Sequence, residues 1–100
     1  MSESKFSANL AALAETLGFK VWPVNQTRRQ PKEYVKRGHA DLLMAGHGRI
    51  LYVETKVDRN RQSAEQVEFE KAVTGNGALY WVIRTRDEFL LMGKLQGWWR

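Results

Sequence analysis

The spacing of hydrophobic residues along the N-terminal part of the chain predicts a helix followed by an edge strand. Between Ser4 and Leu17, apolar residues recur at steps of three and four, which indicates an amphipathic helix, and Gly18 ends it. Residues 19–25 (FKVWPVN) are a strand candidate. Because Pro23 has no amide hydrogen to donate to a ladder, we expect this strand to lie at the edge of a sheet or to contain a bulge.

A β-hairpin is predicted over residues 41–56. Two apolar runs, DLLMA and ILYVETK, are separated by a tetrapeptide (GHGR) with glycine at its first and third positions. With His47 and Gly48 as the central turn residues, Ala45 pairs with Ile50 and the ladder continues outward until Asp41 faces Glu54. Since both faces of this ribbon are apolar, we expect it in the middle of a sheet, covered on both sides.

The C-terminal half predicts a helix, a strand and a short last helix. Residues 63–76 form the helix, with Ser63 as N-cap and Gln66 completing a capping box. Residues 78–84 (ALYWVIR) predict a buried strand parallel to a neighbour, and residues 87–95 a helix that Gly93 interrupts. The predicted order is α-β-β-β-α-β with a C-terminal appendage, an α/β fold with a mixed central sheet flanked by helices. One domain spans residues 1–100.

Three charged side chains come together at the end of the predicted hairpin. Asp41 and Glu54 oppose each other across the ladder, and Lys56 lies two residues further along the same face. Two carboxylates this close repel each other or recruit a cation, and hard oxygen ligands suit Mg²⁺ or Mn²⁺. Lys56 would then hold a phosphate or orient a water. The pattern predicts metal-dependent cleavage of nucleic acid; the alternative is a surface ladder of salt bridges.

The charge balance favours a polyanionic partner. Lys and Arg number 16 against 11 Asp and Glu, a net charge of +5. The absence of cysteine excludes disulfides and Cys-based zinc sites. Since no apolar run is of membrane length and no signal-peptide pattern opens the chain, we expect a soluble cytoplasmic protein and no membrane partner. The candidate phosphate contacts, for which solvated loops are the alternative, are Arg28, Arg29, Lys32, Lys36, Arg37, Arg59 and Arg61.

The chain resembles the PD-(D/E)XK nuclease superfamily and, within it, the small stand-alone VRR-NUC domains of phages and bacteria. Residues 38–41 (GHAD) are similar to the family's G-x-P-D, residues 53–56 (VETK) to its E-x-K, and residues 63–69 (SAEQVEF) to its S-x-x-Q-x-x-F/W. Ala40 departs from the usual proline, which shapes the backbone and performs no chemistry. The likeness covers residues 3–90 and implies a restriction-endonuclease-like αβββαβ core.

The resemblance also implies roles for individual residues. Asp41 and Glu54 would bind Mg²⁺ or Mn²⁺ with the backbone carbonyl of Thr55 as a third ligand, and Lys56 would stabilise charge on the phosphate or help to activate water. Gln66 corresponds to a helical glutamine near the catalytic site, a role that competes with its place in the capping box.

A first-helix glutamate also belongs to the family's catalytic site, and Glu3 and Glu15 compete for that position. Glu3 is preferred because the helical spacing places it on the buried side, whereas Glu15 falls on the solvent face. Trp98 and Trp99 predict either a docking surface between two copies or a segment that folds back on the core.

The activity implied by the resemblance is that of a metal-dependent deoxyribonuclease in a bacterial or phage-infected cell. The expected substrate is branched DNA such as a four-way junction, cut by a homodimer with paired active sites. An exonuclease, flap or nicking nuclease is an alternative, and so is a non-catalytic DNA-binding module. The complete set of acidic and basic residues argues against the last.

Overall fold

The computed structural model describes residues 2–24, 40–57 and 61–100. It is an α/β fold with a four-stranded mixed sheet, and its elements follow the order α-β-β-β-α-β-α. The helices are α1 (Glu3–Thr16), α2 (Ala64–Gly75) and α3 (Arg86–Leu95), and the strands are β1 (Lys20–Pro23), β2 (Leu42–Gly46), β3 (Arg49–Thr55) and β4 (Leu79–Ile83).

The helix ends follow local side-chain chemistry. Each helix begins after a hydroxyl residue whose side chain accepts a hydrogen bond from a first-turn amide: Ser2, Ser63 and Thr85. Ser63 and Gln66 form the predicted capping box. After α1, Gly18 adopts a φ of +98°, a left-handed conformation that glycine reaches without a steric penalty. The capping box at Ser63 and Gln66 and the helix end at Gly18, both predicted from sequence, are confirmed.

The β2–β3 hairpin has the register that was predicted from its turn. Gly46 pairs with Arg49, and the ladder runs without a slip to Leu42 opposite Val53. His47 and Gly48 have φ values of 52° and 75°. Positive φ at both central positions is typical of a type I′ turn, whose twist matches that of the flanking strands. The turn therefore determines which side chains share a face of the ribbon.

The strand order is β1-β2-β3-β4, so the hairpin occupies the centre of the sheet. Strand β1 pairs antiparallel with β2 and forms one edge of the sheet, a position that tolerates Pro23, which has no amide hydrogen to donate. Strand β4 pairs parallel with β3, with Thr55 beside Ile83, and α2 makes the crossover between them. Because β3 and β4 are parallel, their carboxyl ends lie side by side at the same end of the sheet.

The core lies on one face of the sheet. The inward residues of β2 and β3 pack against α1 and α3, and the buried set includes Phe6, Leu10, Ala14, Leu42, Met44, Leu51, Val53, Ile83 and Phe89. On the opposite face, α2 has no buried residue, and Ile50 is 46% exposed. The expectation that both faces of the hairpin are covered therefore holds only in part for the second face, where Ile50 near the turn is exposed and Glu54 at the other end of β3 is buried. There, Phe69 of α2 covers Tyr52 and Tyr80, with ring centroids at 5.0 and 6.0 Å.

The C-terminal tryptophans fold back onto the core. Trp98 stacks on Trp81 at 5.3 Å between ring centroids, and the Trp99 indole donates to the Leu90 carbonyl at 2.9 Å. The prediction that Gly93 interrupts the last helix is wrong, since α3 runs through it to Leu95. A Cβ at Gly93 would lie 1.9 Å from the Trp99 ring, so glycine at this position makes room for the indole. The docking-surface interpretation of the two tryptophans is not supported.

Candidate active site

Asp41 lies where strand β2 departs from its ladder with β3. Its amide donates to the Val53 carbonyl at 3.0 Å, although Val53 is already the partner of Leu42. Two residues therefore oppose one, which is the pattern of a β-bulge, and bulges redirect side chains next to functional sites. The Asp41 carbonyl also accepts from Val24 at 3.0 Å, so the backbone is held from both neighbouring strands. The direct pairing of Asp41 with Glu54, expected from a regular ladder, is thus replaced by a bulge.

The bulge directs the Asp41 carboxylate toward Thr55. Oδ2 of Asp41 accepts from the Thr55 amide at 2.7 Å and from the Thr55 hydroxyl at 2.9 Å. Since the Thr55 hydroxyl donates its hydrogen to Asp41, the hydrogen bond with Ser7 of α1 has Ser7 as donor. Ser7 of α1 therefore donates to the Thr55 hydroxyl, which in turn donates to the Asp41 carboxylate.

Glu54 is 2% exposed, and each of its oxygens has a donor. The Tyr80 hydroxyl donates to Oε2 at 2.8 Å, and the Gln66 side-chain amide donates to Oε1. Nζ of Lys56 lies 3.8 Å from the same Oε1, an ion pair whose lysine side chain is 13% exposed. The structure thus brings Glu54, Lys56 and Gln66 together, as the sequence predicted.

The pKa of Glu54 is shifted mainly by burial. Burial raises the pKa of Glu54 above its ordinary value, while the Tyr80 hydrogen bond and the Lys56 ammonium lower it. The charges of Asp41 and Glu3 raise it further. The net shift is upward mainly because the carboxylate is removed from water, and a bound cation would favour its charged form.

Of the two candidate first-helix glutamates, Glu3 is the one whose charge affects Glu54. It is the first residue of α1, it is partly buried, and its charge raises the pKa of Glu54. Glu15 is exposed and lies on the same helix about 18 Å further along, at about 1.5 Å per residue. Of the two alternatives, the structure places Glu3 within electrostatic reach of Glu54.

Gln66 performs both of the roles that sequence left in competition. Its side-chain oxygen accepts from the Ser63 backbone amide at 2.8 Å, and the Gln66 backbone amide donates to the Ser63 hydroxyl at 3.2 Å. Its side-chain nitrogen is the group that donates to Glu54. Because a primary amide has an acceptor at one end and donors at the other, helix capping and contact with the site are compatible.

Tyr80 is the residue of the site that sequence reasoning missed. It is buried in β4, and in the parallel register Val82 pairs with Glu54, so Tyr80 lies two residues away on the same face. Burial and the hydrogen bond to Glu54 raise the pKa of the Tyr80 phenol, whereas a hydrogen bond with Gln62 lowers it. The only sequence signal was the hydroxyl of Tyr80 in a strand whose other residues are apolar.

Most of the candidate phosphate contacts lie outside the described residues: Arg28, Arg29, Lys32, Lys36, Arg37 and Arg59. Arg61 is described and exposed, just before α2. The structure adds Arg84, which is exposed and follows β4. The Lys56 amide donates to the Ile83 carbonyl at 3.0 Å, so Lys56 and Arg84 are neighbours at the edge where β3 and β4 both end.

The donors at this edge fit a hard divalent cation. In an extended strand the amide and carbonyl of one residue point to the same side, so the Thr55 carbonyl faces the side on which Asp41 lies. Two carboxylates and a carbonyl, with water in the remaining positions, suit Mg²⁺ or Mn²⁺. No group of three acidic or histidine side chains with metal-ligand spacing occurs within residues 2–24, 40–57 and 61–100. A cation bound at Asp41 and Glu54 would therefore need a third protein ligand other than an acidic or histidine side chain, such as the Thr55 carbonyl.

Comparisons with family models, with curated proteins and with solved structures found no match to this chain. The VRR-NUC resemblance therefore remains an interpretation of the motifs. In the described part of the chain, no helix has the length and apolar character needed to cross a bilayer.

Proposed function

We propose that this protein is a divalent-metal-dependent nuclease that hydrolyses phosphodiester bonds in DNA. The observation that carries the proposal is that three charged groups lie at one end of the central ribbon: Lys56 is paired with Glu54, and Asp41, bonded to the neighbouring Thr55, acts electrostatically on Glu54. Glu54 is buried with a raised pKa, and Lys56 is the paired cation beside it. A structural ion pair has no need of two further acidic groups, Asp41 and Glu3, acting on the same buried carboxylate.

Each residue has a distinct role in this proposal. Asp41, Glu54 and the Thr55 carbonyl would hold Mg²⁺ or Mn²⁺, which when bound polarises a phosphoryl oxygen and lowers the pKa of a bound water. Lys56 places a positive charge where charge develops on the phosphate. Its Nζ is 3.8 Å from Glu54, longer than a normal hydrogen bond, so the ammonium can turn toward a phosphate oxygen while remaining near the carboxylate. Gln66 keeps the Glu54 carboxylate oriented.

The charges favour a polyanionic substrate, and DNA is the one that the VRR-NUC resemblance implies. The net charge is +5, and Lys56 and Arg84 are adjacent cations at the edge that holds the carboxylates, with Arg61 near the start of α2. Such contacts give affinity for the backbone without reading sequence. A preference for branched DNA and a homodimer with two-fold-related sites are part of the proposal, and both are supported by the VRR-NUC resemblance alone.

A cleavage panel tests the proposal. Labelled single-stranded, duplex, flap and four-way DNA are incubated with purified protein in Mg²⁺, Mn²⁺ or EDTA, beside the variants Glu54→Gln and Glu15→Gln. Glu15→Gln is the matched control, because the same chemical change falls on an exposed residue remote from the site. We expect metal-dependent cutting, fastest on the four-way substrate, that Glu54→Gln abolishes and Glu15→Gln retains.

The other outcomes identify the alternatives. Cutting that starts from DNA ends, or prefers flaps, would make this a nuclease of another preference. DNA binding without cutting in either metal would favour a non-catalytic module and overturn the proposal. Light scattering at micromolar concentration tests the homodimer, which a species at only the monomer mass of 11.6 kDa would contradict.

A further inference from the structure

A buried phenol lies behind the candidate metal ligand Glu54. Tyr80 is 7% exposed, and its hydroxyl donates to Oε2 of Glu54 at 2.8 Å. The other oxygen of Glu54 accepts from Gln66. The two donors come from different elements, β4 and α2, so the carboxylate is held at both oxygens by groups that are themselves fixed in the fold.

Packing alone does not explain a tyrosine here. The Tyr80 ring contacts Phe69 at 6.0 Å between centroids, and phenylalanine would fill the same ring volume. A buried hydroxyl costs free energy unless it is hydrogen-bonded, and this one is bonded to the most buried charged group among the described residues. What the hydroxyl adds to the ring is therefore its hydrogen bonds, the one to Glu54 and the one with Gln62.

We propose that Tyr80 is a positioning residue, which holds the Glu54 carboxylate in the orientation that a divalent cation requires. This inference rests on the proposed function, because it takes Glu54 to be a metal ligand. Carboxylates that ligate metals are usually hydrogen-bonded by neighbouring groups, and removing such a partner typically costs about 10–100-fold in metal affinity or activity. Without the hydroxyl, Oε2 loses its donor and the carboxylate can rotate about its last torsion.

The test is Tyr80→Phe, with Tyr52→Phe as matched control. Tyr52 is the register partner of Tyr80, and its ring also packs on Phe69, so the control removes a hydroxyl from the neighbouring strand on the same face. Calorimetric titration with MnCl₂ in the absence of DNA measures metal affinity directly. We expect Tyr80→Phe to weaken Mn²⁺ binding about 10–100-fold and Tyr52→Phe to leave it unchanged.

A kinetic readout separates positioning from a merely structural role. In Tyr80→Phe, the Mn²⁺ concentration that gives half-maximal cutting should rise by the same factor, while the KM for DNA is unchanged and saturating Mn²⁺ restores most of kcat. A loss of kcat that metal does not restore, or Mn²⁺ affinity equal to wild type, would overturn the inference.

Two further results keep this test distinct from that of the function. If wild type binds Mn²⁺ but cuts no DNA, the proposed function fails while the affinity comparison still tests Tyr80. If Tyr80→Phe does not fold, the double variant Glu54→Gln/Tyr80→Phe, which lacks the buried charge, is compared with Glu54→Gln alone. Equal Mn²⁺ affinities support action through Glu54, and a further loss in the double variant contradicts it.

Discussion

The double role of Gln66 can be separated by one substitution, Gln66→Glu. Glutamate is as acceptable as glutamine at this position of a capping box, so the bond from the Ser63 amide is retained. The nitrogen that donates to Glu54 is replaced by a carboxylate oxygen, and a new negative charge faces a side chain that is 2% exposed. Capping is thus kept while the contact with the site is reversed from attraction to repulsion.

The loss of stability in Gln66→Glu has two parts, a lost hydrogen bond and a new repulsion between carboxylates. A hydrogen bond to a charged group contributes about 1.5–3 kcal/mol. Two like charges about 4 Å apart repel by about 4 kcal/mol at an effective dielectric constant near 20, which is an upper limit because one carboxylate can take up a proton. We therefore expect Gln66→Glu to lower the free energy of unfolding by about 2–4 kcal/mol at neutral pH. Ser63→Ala, which removes only the cap, should cost about 1 kcal/mol.

Urea denaturation of wild type, Gln66→Glu and Ser63→Ala, in metal-free buffer at about pH 7.5 and about pH 5, makes the comparison. The added repulsion favours the protonated form, so the deficit of Gln66→Glu should shrink as the pH falls, whereas that of Ser63→Ala should stay constant. Ser63→Ala should also retain cutting while Gln66→Glu loses it. If Gln66→Glu were as stable as wild type at the higher pH, or equally destabilised at both, Gln66 would serve only as a cap.

Three further predictions follow from the described contacts. Because burial raises the pKa of Glu54, the folded protein binds the carboxyl proton of Glu54 more tightly than the unfolded chain does. Stability without metal should therefore fall as the pH rises through that raised pKa. Glu54→Gln should flatten this pH dependence in urea titrations, and an unchanged pH dependence would contradict the prediction. Arg84→Gln should weaken DNA binding and reduce the slope of log affinity against log salt by about one, while Arg100→Gln, the same charge change at the exposed C-terminus, should not. Gly93→Ala should lower stability by about 1–3 kcal/mol with a changed tryptophan emission, because its methyl group collides with Trp99; a wild-type melting curve would refute this.

The local parts of the fold could be predicted from sequence because short-range chemistry determines them. The glycine-bounded turn sets the hairpin register, since a two-residue type I′ connection leaves only one pairing of the flanking residues. The caps at Ser63 and Gly18 and the edge position of Pro23 likewise depend on single residues and their backbone preferences.

The parts that could not be predicted depend on contacts between distant segments. A regular ladder extrapolates Asp41 to a position opposite Glu54, but Asp41 is hydrogen-bonded instead to three residues of other segments: Val24, Val53 and Thr55. Tyr80 reaches Glu54 only through the parallel register of β3 and β4, which no local pattern encodes. The sequence left open whether Trp98 and Trp99 fold back on the core, because the space that Gly93 leaves for the Trp99 ring is visible only in the structure.

The coverage of the sheet was also beyond a sequence-based prediction. Apolar alternation identifies residues that can be buried, but α2 supplies too few apolar side chains to cover the second face, where Ile50 remains 46% exposed. The number of helices available for each face is a property of the whole chain. The apolar pattern of the hairpin therefore predicted its central position in the sheet correctly but predicted more burial than the structure has.

The central claim is that Asp41 and Glu54 bind one divalent cation between them. Anomalous diffraction from crystals grown in saturating Mn²⁺ tests this most directly, without relying on cleavage. The account predicts an anomalous peak about 2.0–2.3 Å from an oxygen of each carboxylate, with the Thr55 carbonyl at a similar distance. A map with no peak between the two carboxylates, or with manganese held only by other residues, would contradict it.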